Sequence, residues 1–171
     1  MLKSRILLGL VLTGLLYAAC QKNPPYDGLK QMEIDDAIIV KYLADSNLKD
    51  SFKKDQSGLY YWMQRKGTKE GIFADTSTYF ANYNVAVLGH PTFEKRTDST
   101  FTFKRPGILA GLNIGLDLMG KPGGKIRMLI PSPLAYKERY LKGGIRDSIR
   151  VPPNSILDYT LEIDSVNTKK P

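Results

Sequence analysis

The chain holds one histidine, His90, and one cysteine, Cys20, and this scarcity bounds its chemistry. A Ser-His-Asp or Cys-His system would rest on His90 alone, in the turn "LGHPTF", with no nucleophile motif beside it. No second cysteine or histidine exists to build a zinc site. The adjacent carboxylates Asp35 and Asp36 read as the charged start of a helix rather than as an acid-base pair. "GLNIGLDLMG" has spaced glycines but neither the lysine of a phosphate loop nor a dinucleotide fingerprint, so its glycines point to close packing. No cofactor is implied. What remains is a set of aromatics where strands and loops meet: Tyr83, Phe93, Phe101, Phe103, Tyr136 and Tyr159. They are either plain core or the walls of a dry pocket. A pocket of that kind suits one reaction that needs no acid, base or metal, the rotation of an X-Pro amide across a barrier of roughly 20 kcal/mol. The planar amide is more charge-separated than the twisted one, so an apolar cavity shaped for the twisted form lowers the barrier.

The elements that must position these rings are mostly strands. In "RVPPNSILDYTLEIDSV" the alternate residues Leu157, Tyr159, Leu161 and Ile163 are apolar while Asp158, Thr160, Glu162 and Asp164 fill the gaps, the pattern of a half-buried strand that turns Tyr159 inward. Similar patterns predict strands over residues 59–64, 78–88, 99–104, 125–131 and 156–166. Between the third and fourth, Leu112, Leu116 and Met119 fall at helical spacing, and the helix stops at Pro122, Gly123 and Gly124. One short helix among five antiparallel strands is an α+β pattern. Upstream, Ile34, Ile38 and Tyr42 at four-residue steps, with Leu43, predict an amphipathic helix of roughly four turns. Its apolar stripe must pack on its own domain or on a second copy of the chain, through residues 30–50.

The chain of 171 residues carries a net charge of +8 and suffices for one core plus an appendage. Its start has a basic stretch (Lys3, Arg5), an uncharged apolar run from Ile6 to Tyr17, and the small residues Ala18 and Ala19, the composition of an export signal. Cys20 follows at once, in an arrangement that resembles the lipobox of bacterial lipoproteins, where that cysteine becomes the lipidated first residue. Tyr17 departs from the aliphatic residue usual three places before it. The expected organisation is a signal peptide over residues 1–19, a tether over 20–29, a helical segment over 30–56 and a folded domain over 57–167. Basic residues are scattered and form no run interleaved with stacking aromatics, so nucleic acid is not an expected partner.

The segments resemble, in order, the FKBP-type peptidyl-prolyl isomerases, over about residues 58 to 166. "YFANYNVAVLGHPTFEK" is similar to the family's first pocket segment, a strand tyrosine followed ten residues later by Phe and an acid: Tyr83, Phe93 and Glu94. "FTF" supplies Phe101 and Phe103. "GILAGLNIGLDLM" is similar to the family's approach to its helix, with Ile108 and Leu109 ahead of Ala110-Gly111. "KIRMLIPSPLAY" and "VPPNSILDYTLEI" match the closing strands and bring Tyr136, Val151 and Tyr159. The resemblance implies an antiparallel, twisted half-barrel sheet wrapped around one short helix. It also implies that the Tyr136 hydroxyl and the Leu109 N–H hydrogen-bond substrate carbonyls, while Tyr83, Phe93, Phe103, Ile108 and Tyr159 line the walls. Four departures stand out. Leu112 occupies the floor position where the family usually has tryptophan, and Trp62 lies far upstream. Glu94 replaces the usual Asp, Lys137 stands where glycine usually follows the loop tyrosine, and "KERYLKGGIRDSIR" makes a long basic loop.

The resemblance thus implies a peptidyl-prolyl cis-trans isomerase that assists the folding of exported proteins by acting on their proline-containing segments. It would sit in the bacterial cell envelope, anchored by lipid at Cys20, in the outer membrane facing the periplasm, with turnover made modest by Leu112. The alternative is a weak or inert FKBP-fold binding lipoprotein of an envelope complex. A third expectation is a structural lipoprotein whose N-terminal helix drives self-association.

Overall fold

The computed structural model describes residues 25–74, 76–143 and 149–168; the expected signal peptide and Cys20 lie outside the described residues. Helix α1 (Gly28–Asp45) comes first, then strands β1 (Lys53–Lys54), β2 (Tyr60–Arg65), β3 (Thr76–Val87) and β4 (Thr92–Lys104). Helix α2 (Ala110–Met119), β5 (Lys125–Ile130), a short hairpin of β6 (Leu141–Gly143) and β7 (Ile149–Val151), and β8 (Leu157–Thr168) complete the order. Six strands form one antiparallel sheet in the order β1-β2-β5-β8-β3-β4. This is the expected α+β architecture. Strand β4 begins at Thr92, well before the expected residue 99, because the chain turns at Gly89 (φ 77°) and pairs at once with β3.

Alternation sorts the sheet into two faces. Ile126, Met128 and Ile130 of β5, Leu157, Tyr159, Leu161 and Ile163 of β8, and Tyr79, Ala81 and Val85 of β3 join Leu116 and Met119 of α2 in the main core. Helix α2 lies so close to β5 that a Cβ on Gly111 would sit 2.3 Å from Ile130 Cγ2, and one on Gly115 2.2 Å from Met128 Sδ. The glycine spacing i, i+4 is therefore a packing device. Ile130 is fully buried and β-branched, so its Cγ2 cannot swing away, whereas the Met128 thioether can. Gly111→Ala is expected to lose about 1–3 kcal/mol by overpacking, net of the helix propensity it gains, and Gly115→Ala to lose less. Chemical denaturation of the two variants checks the order.

Helix α1 covers part of the other face. Asp27 caps it, its Oδ1 accepting from the N–H groups of Leu29 and Lys30 at 3.1 Å each. The helix thus starts at Gly28, seven residues before Asp35, and the expectation that Asp35 and Asp36 mark its start is corrected. The buried stripe is Asp35, Ile39 and Leu43; of the predicted Ile34, Ile38, Tyr42 and Leu43, Leu43 lies in it and Tyr42 flanks it, while Ile34 and Ile38 lie one position round. Ile34 and Ile38 are 46% and 48% exposed. Ile39 and Leu43 pack with Phe52, Tyr60, Leu129 and Ile156 in a second core, against which Trp62 and Tyr42 also lie. Polar anchors hold the same contact: the Tyr60 hydroxyl donates to Asp36 Oδ1 at 2.7 Å, and Arg127, bidentate on Asp158 at 2.9 and 2.6 Å, stands over the Phe52 ring. The helix therefore docks on its own domain, and Leu29, Ile34, Ile38 and Val40 remain exposed on it. Among the described residues no helix is long and apolar enough to cross a membrane.

Candidate active site

Where β3 and β8 run past the end of α2, their inner face is aromatic. The register pairs Val85 with Tyr159 and Tyr83 with Leu161, so Tyr83 and Tyr159 are diagonal neighbours within reach of each other. Their rings stack with centroids 5.6 Å apart at 23°. The Tyr83 hydroxyl donates to Glu94 Oε1 of β4 at 2.7 Å, and Arg96 Nε donates to the same oxygen at 3.3 Å. The extra methylene of Glu94 therefore does not displace its carboxylate from the tyrosine; the strand register, with Glu94 opposite Val85, leaves room for it.

All three pocket phenols hold their protons more tightly than usual. Burial, then the hydrogen bond to the Glu94 carboxylate and its charge, push the Tyr83 pKa up to about 12. Burial first, then the neighbouring Tyr83 and Glu94, push Tyr159 up further. Tyr136 is raised by burial and by the charge of Glu94. Tyr83 and Tyr136 pack against the core cluster that holds Tyr159, and Glu94 is hydrogen-bonded to Tyr83. Each of these phenols is a neutral donor at ordinary pH.

Ile108, Leu109 and Leu112 approach from the other side, half-buried against the main core together with Phe93, Val87 and Tyr136. Their placement depends on Arg105. Its guanidinium donates to Asn113 Oδ1 (3.2 Å), the Asn113 carbonyl (3.1 Å), Asp117 Oδ1 (2.6 Å) and the Phe73 carbonyl (3.3 Å), while Asn113 Nδ2 donates back to the Arg105 carbonyl at 2.7 Å. This clamp ties the turn Arg105–Gly107 to α2 and so fixes the two residues between them. Leu109 takes the N-cap position in extended conformation, φ −55° and ψ 137°. Its carbonyl accepts from Leu112 and Asn113, and among the described residues no group accepts from its N–H. Nothing in the sequence patterning marks Arg105, since its partners lie in two separate segments, α2 and the stretch before β3 at Phe73.

Of the ten residues expected at the site, Tyr159 lies in the main core, Tyr83, Phe93, Ile108, Leu109, Leu112 and Tyr136 pack against it, and Glu94 is joined to Tyr83 by its hydrogen bond. Val151 is fully buried in the same core and pairs with Leu141 in the β6–β7 hairpin. Phe103 is opposite Ser77 in the β3–β4 register, and its side chain, like that of Phe101, lies outside the described residues. Trp62 is no substitute for the missing floor ring. It packs edge-on against Phe52, centroids 6.1 Å apart, under α1 on the opposite face of the sheet. Lys137 adopts φ 58°, the left-handed conformation for which glycine is the usual residue. His90 is exposed and borders a shallow cleft with Val87, Phe93, Arg150 and Pro152, contiguous with the aromatic space through Phe93. Among the described residues no group of His, Cys, Asp and Glu could hold a metal ion.

Comparison with known proteins agrees with this geometry. The model of the FKBP-type peptidyl-prolyl cis-trans isomerase family matches residues 73–164. The chain is 29% identical over 113 residues to the FKBP-type peptidyl-prolyl cis-trans isomerase FkpA of Escherichia coli, covering 65% of this chain and 38% of that protein. It is 30% identical over 131 residues to a probable FKBP-type peptidyl-prolyl cis-trans isomerase of Haemophilus influenzae, covering 75% and 51%. The chain thus spans only about half or less of these relatives' lengths. Among solved structures, Escherichia coli FkpA superposes with a TM-score of 0.60 at 24% identity, covering 81% of this chain and 62% of that one. A peptidyl-prolyl cis-trans isomerase from Pseudomonas syringae superposes at 0.59 and 19%, covering 86% and 100%. Fold and segment order agree over the same residues that build the aromatic space, and the chain belongs to the FKBP-type peptidyl-prolyl cis-trans isomerase family.

Proposed function

We propose that the chain is a peptidyl-prolyl cis-trans isomerase of the cell envelope that acts on proline-containing segments of exported proteins. The observation that carries this is the stacked Tyr83–Tyr159 pair, with Phe93, Ile108, Leu112 and Tyr136 packed on the same core and a Leu109 N–H that no described group accepts from; in this reading these side chains bound one apolar space, and the Leu109 N–H and the Tyr136 hydroxyl are the donors at its rim. The proline ring enters the apolar space, and the two donors hold the flanking carbonyls. Surroundings of low polarity favour the twisted amide, in which charge separation is reduced, over the planar one. Glu94 orients Tyr83 by accepting the hydrogen bond of its hydroxyl. A cis-to-trans assay on a short Xaa-Pro peptide with the full-length chain tests this. Acceleration over the uncatalysed rate, which relaxes over roughly 10–100 s, is the expected result. Peptide binding without acceleration would instead identify an inert binding module.

The raised phenol pKa values predict the pH profile. The Tyr83 pKa stands at about 12 in the fold against about 10 unfolded, so its contribution to stability is fully present below about pH 10 and drains away between about 10 and 12. No phenol of the site ionises below that range. The rate is expected to be flat from about pH 8 to 9.5 and to fall above about pH 10 together with the melting temperature. A sharp rise or fall inside the flat region would point to an acid or base the geometry does not contain.

The envelope location is proposed from the apolar run ending in Ala18-Ala19-Cys20 and the polar "QKNPPYDG" that follows, with lipid on Cys20 and the outer membrane, periplasmic side, as the site of retention. Cys20→Ala is expected to move the protein from the membrane fraction to the soluble one, or to leave an unprocessed precursor. Unchanged fractionation and an unchanged mature mass would rule out lipidation.

A further inference from the structure

Asp35 is completely buried, and a carboxylate in that position must be met by donors. Its Oδ2 accepts from both the backbone N–H (2.6 Å) and the hydroxyl (2.7 Å) of Ser132, and its Oδ1 accepts from Gln31 Nε2 at 2.7 Å. Tyr26 stands beside the pair, its hydroxyl buried near Ser132. Ser132 opens the short turn Ser132–Leu134 directly after Pro131, which has no side-chain group to cap it. A carboxylate 97 residues upstream supplies the cap.

The far end of that turn is the site. The Ser132 carbonyl accepts from the N–H of Ala135 at 3.0 Å and of Lys137 at 2.8 Å, the residues on either side of Tyr136. Lys137 holds a left-handed backbone at φ 58°, a conformation that is unfavourable for a residue with a side chain and persists only where its surroundings hold it. Ser132 is the common anchor: its N–H and hydroxyl are bound to Asp35, and its carbonyl is bound to both flanks of Tyr136.

The geometry points to Asp35 as a positioning residue for Tyr136. Through one carboxylate, helix α1 sets the loop that presents the Tyr136 hydroxyl to the substrate. The N-terminal helix is then part of the catalytic apparatus, although it forms no wall of the pocket. This rests on the isomerase assignment for the role of Tyr136, and the test separates the two.

The full-length chain in detergent is compared as wild type, Asp35→Asn, Tyr136→Phe and the double variant. Asp35→Asn keeps the shape and removes the charge and one acceptor. It is expected to lower kcat/KM for an Xaa-Pro peptide about tenfold in the wild-type background and less than about twofold alongside Tyr136→Phe, a coupling in the range found for residues sharing one network. The peptide Kd is expected to show the same non-additivity. Helix docking alone would give equal fractional losses in both backgrounds, and that result, or a folded Asp35→Asn with unchanged kcat/KM and Kd, overturns the proposal. Should Asp35→Asn fail to fold, Ser132→Ala, which removes only the hydroxyl bond, takes its place in the same cycle with an expected loss of about threefold. The Tyr136 ring resonances, recorded in wild type and variant, are expected to shift. Unmoved resonances overturn the positioning role even if the wild type turns over no peptide, an outcome that by itself would defeat only the isomerase assignment.

Discussion

Tyr159→Ala is expected to lose about 3–5 kcal/mol of stability, the usual cost of deleting a buried aromatic ring, and to remove most of the isomerase rate. The ring is 8% exposed and is stacked at 5.6 Å on Tyr83, so truncation opens a cavity and takes away the support of a second wall. Tyr83 would then be free to turn from Glu94. Tyr159→Phe provides the control. The phenol makes no hydrogen bond among the described residues, so Phe keeps the stack and the packing, and its stability is expected within about 0.5 kcal/mol of wild type with the rate retained. Denaturation midpoints and kcat/KM measured on both variants decide the matter. A Tyr159→Phe variant that folds well but loses its rate would give the hydroxyl a part in substrate binding.

Leu112→Trp is expected to raise kcat/KM several-fold, since it is the change most able to alter what the site does. Leu112 stands half-buried at the start of α2, facing the cluster with Ile108 and Leu109, and a flat ring there would give the proline a face that a branched aliphatic side chain lacks. Trp62 cannot supply that face from across the sheet. The gain is set against overpacking, about 1–3 kcal/mol where extra volume meets a filled core, but Leu112 is only half-buried, which relieves part of it. Melting temperature and rate are needed from the same protein. A stable Leu112→Trp variant no faster than wild type would transfer the limit on turnover to the long basic loop after Tyr136.

Much of this fold is legible in the sequence, and the reasons are local. Strict alternation from Leu157 to Ile163 allows only one face to be buried, which turns Tyr159 inward. Pro and Gly residues close the elements, the glycines of α2 announce a close approach, and the absence of a paired nucleophile and base leaves amide rotation as a reaction the chain can support. The family resemblance supplies the candidate site residues, and the fold packs Tyr83, Phe93, Ile108, Leu109, Leu112 and Tyr136 against the core that holds Tyr159. The complete burial of Val151 could not be read from the sequence, because it depends on how a short hairpin closes over the core.

Other features belong to tertiary structure alone. Apolar periodicity assigns the buried stripe of α1 to Ile34, Ile38, Tyr42 and Leu43; Leu43 is buried as assigned, but Ile34 and Ile38 are not, because hydrophobicity cannot foresee that a carboxylate will be buried. Asp35 can face inward only because Ser132, brought to it from 97 positions away, offers two donors at once. The same holds for Arg105, whose partners come from two segments, and for Trp62, whose face is settled by the strand register beneath α1. A sequence determines which groups are apolar and at what period they recur. Whether a charge can be left inside is decided by the distance to its partners, and that distance exists only once the chain has folded.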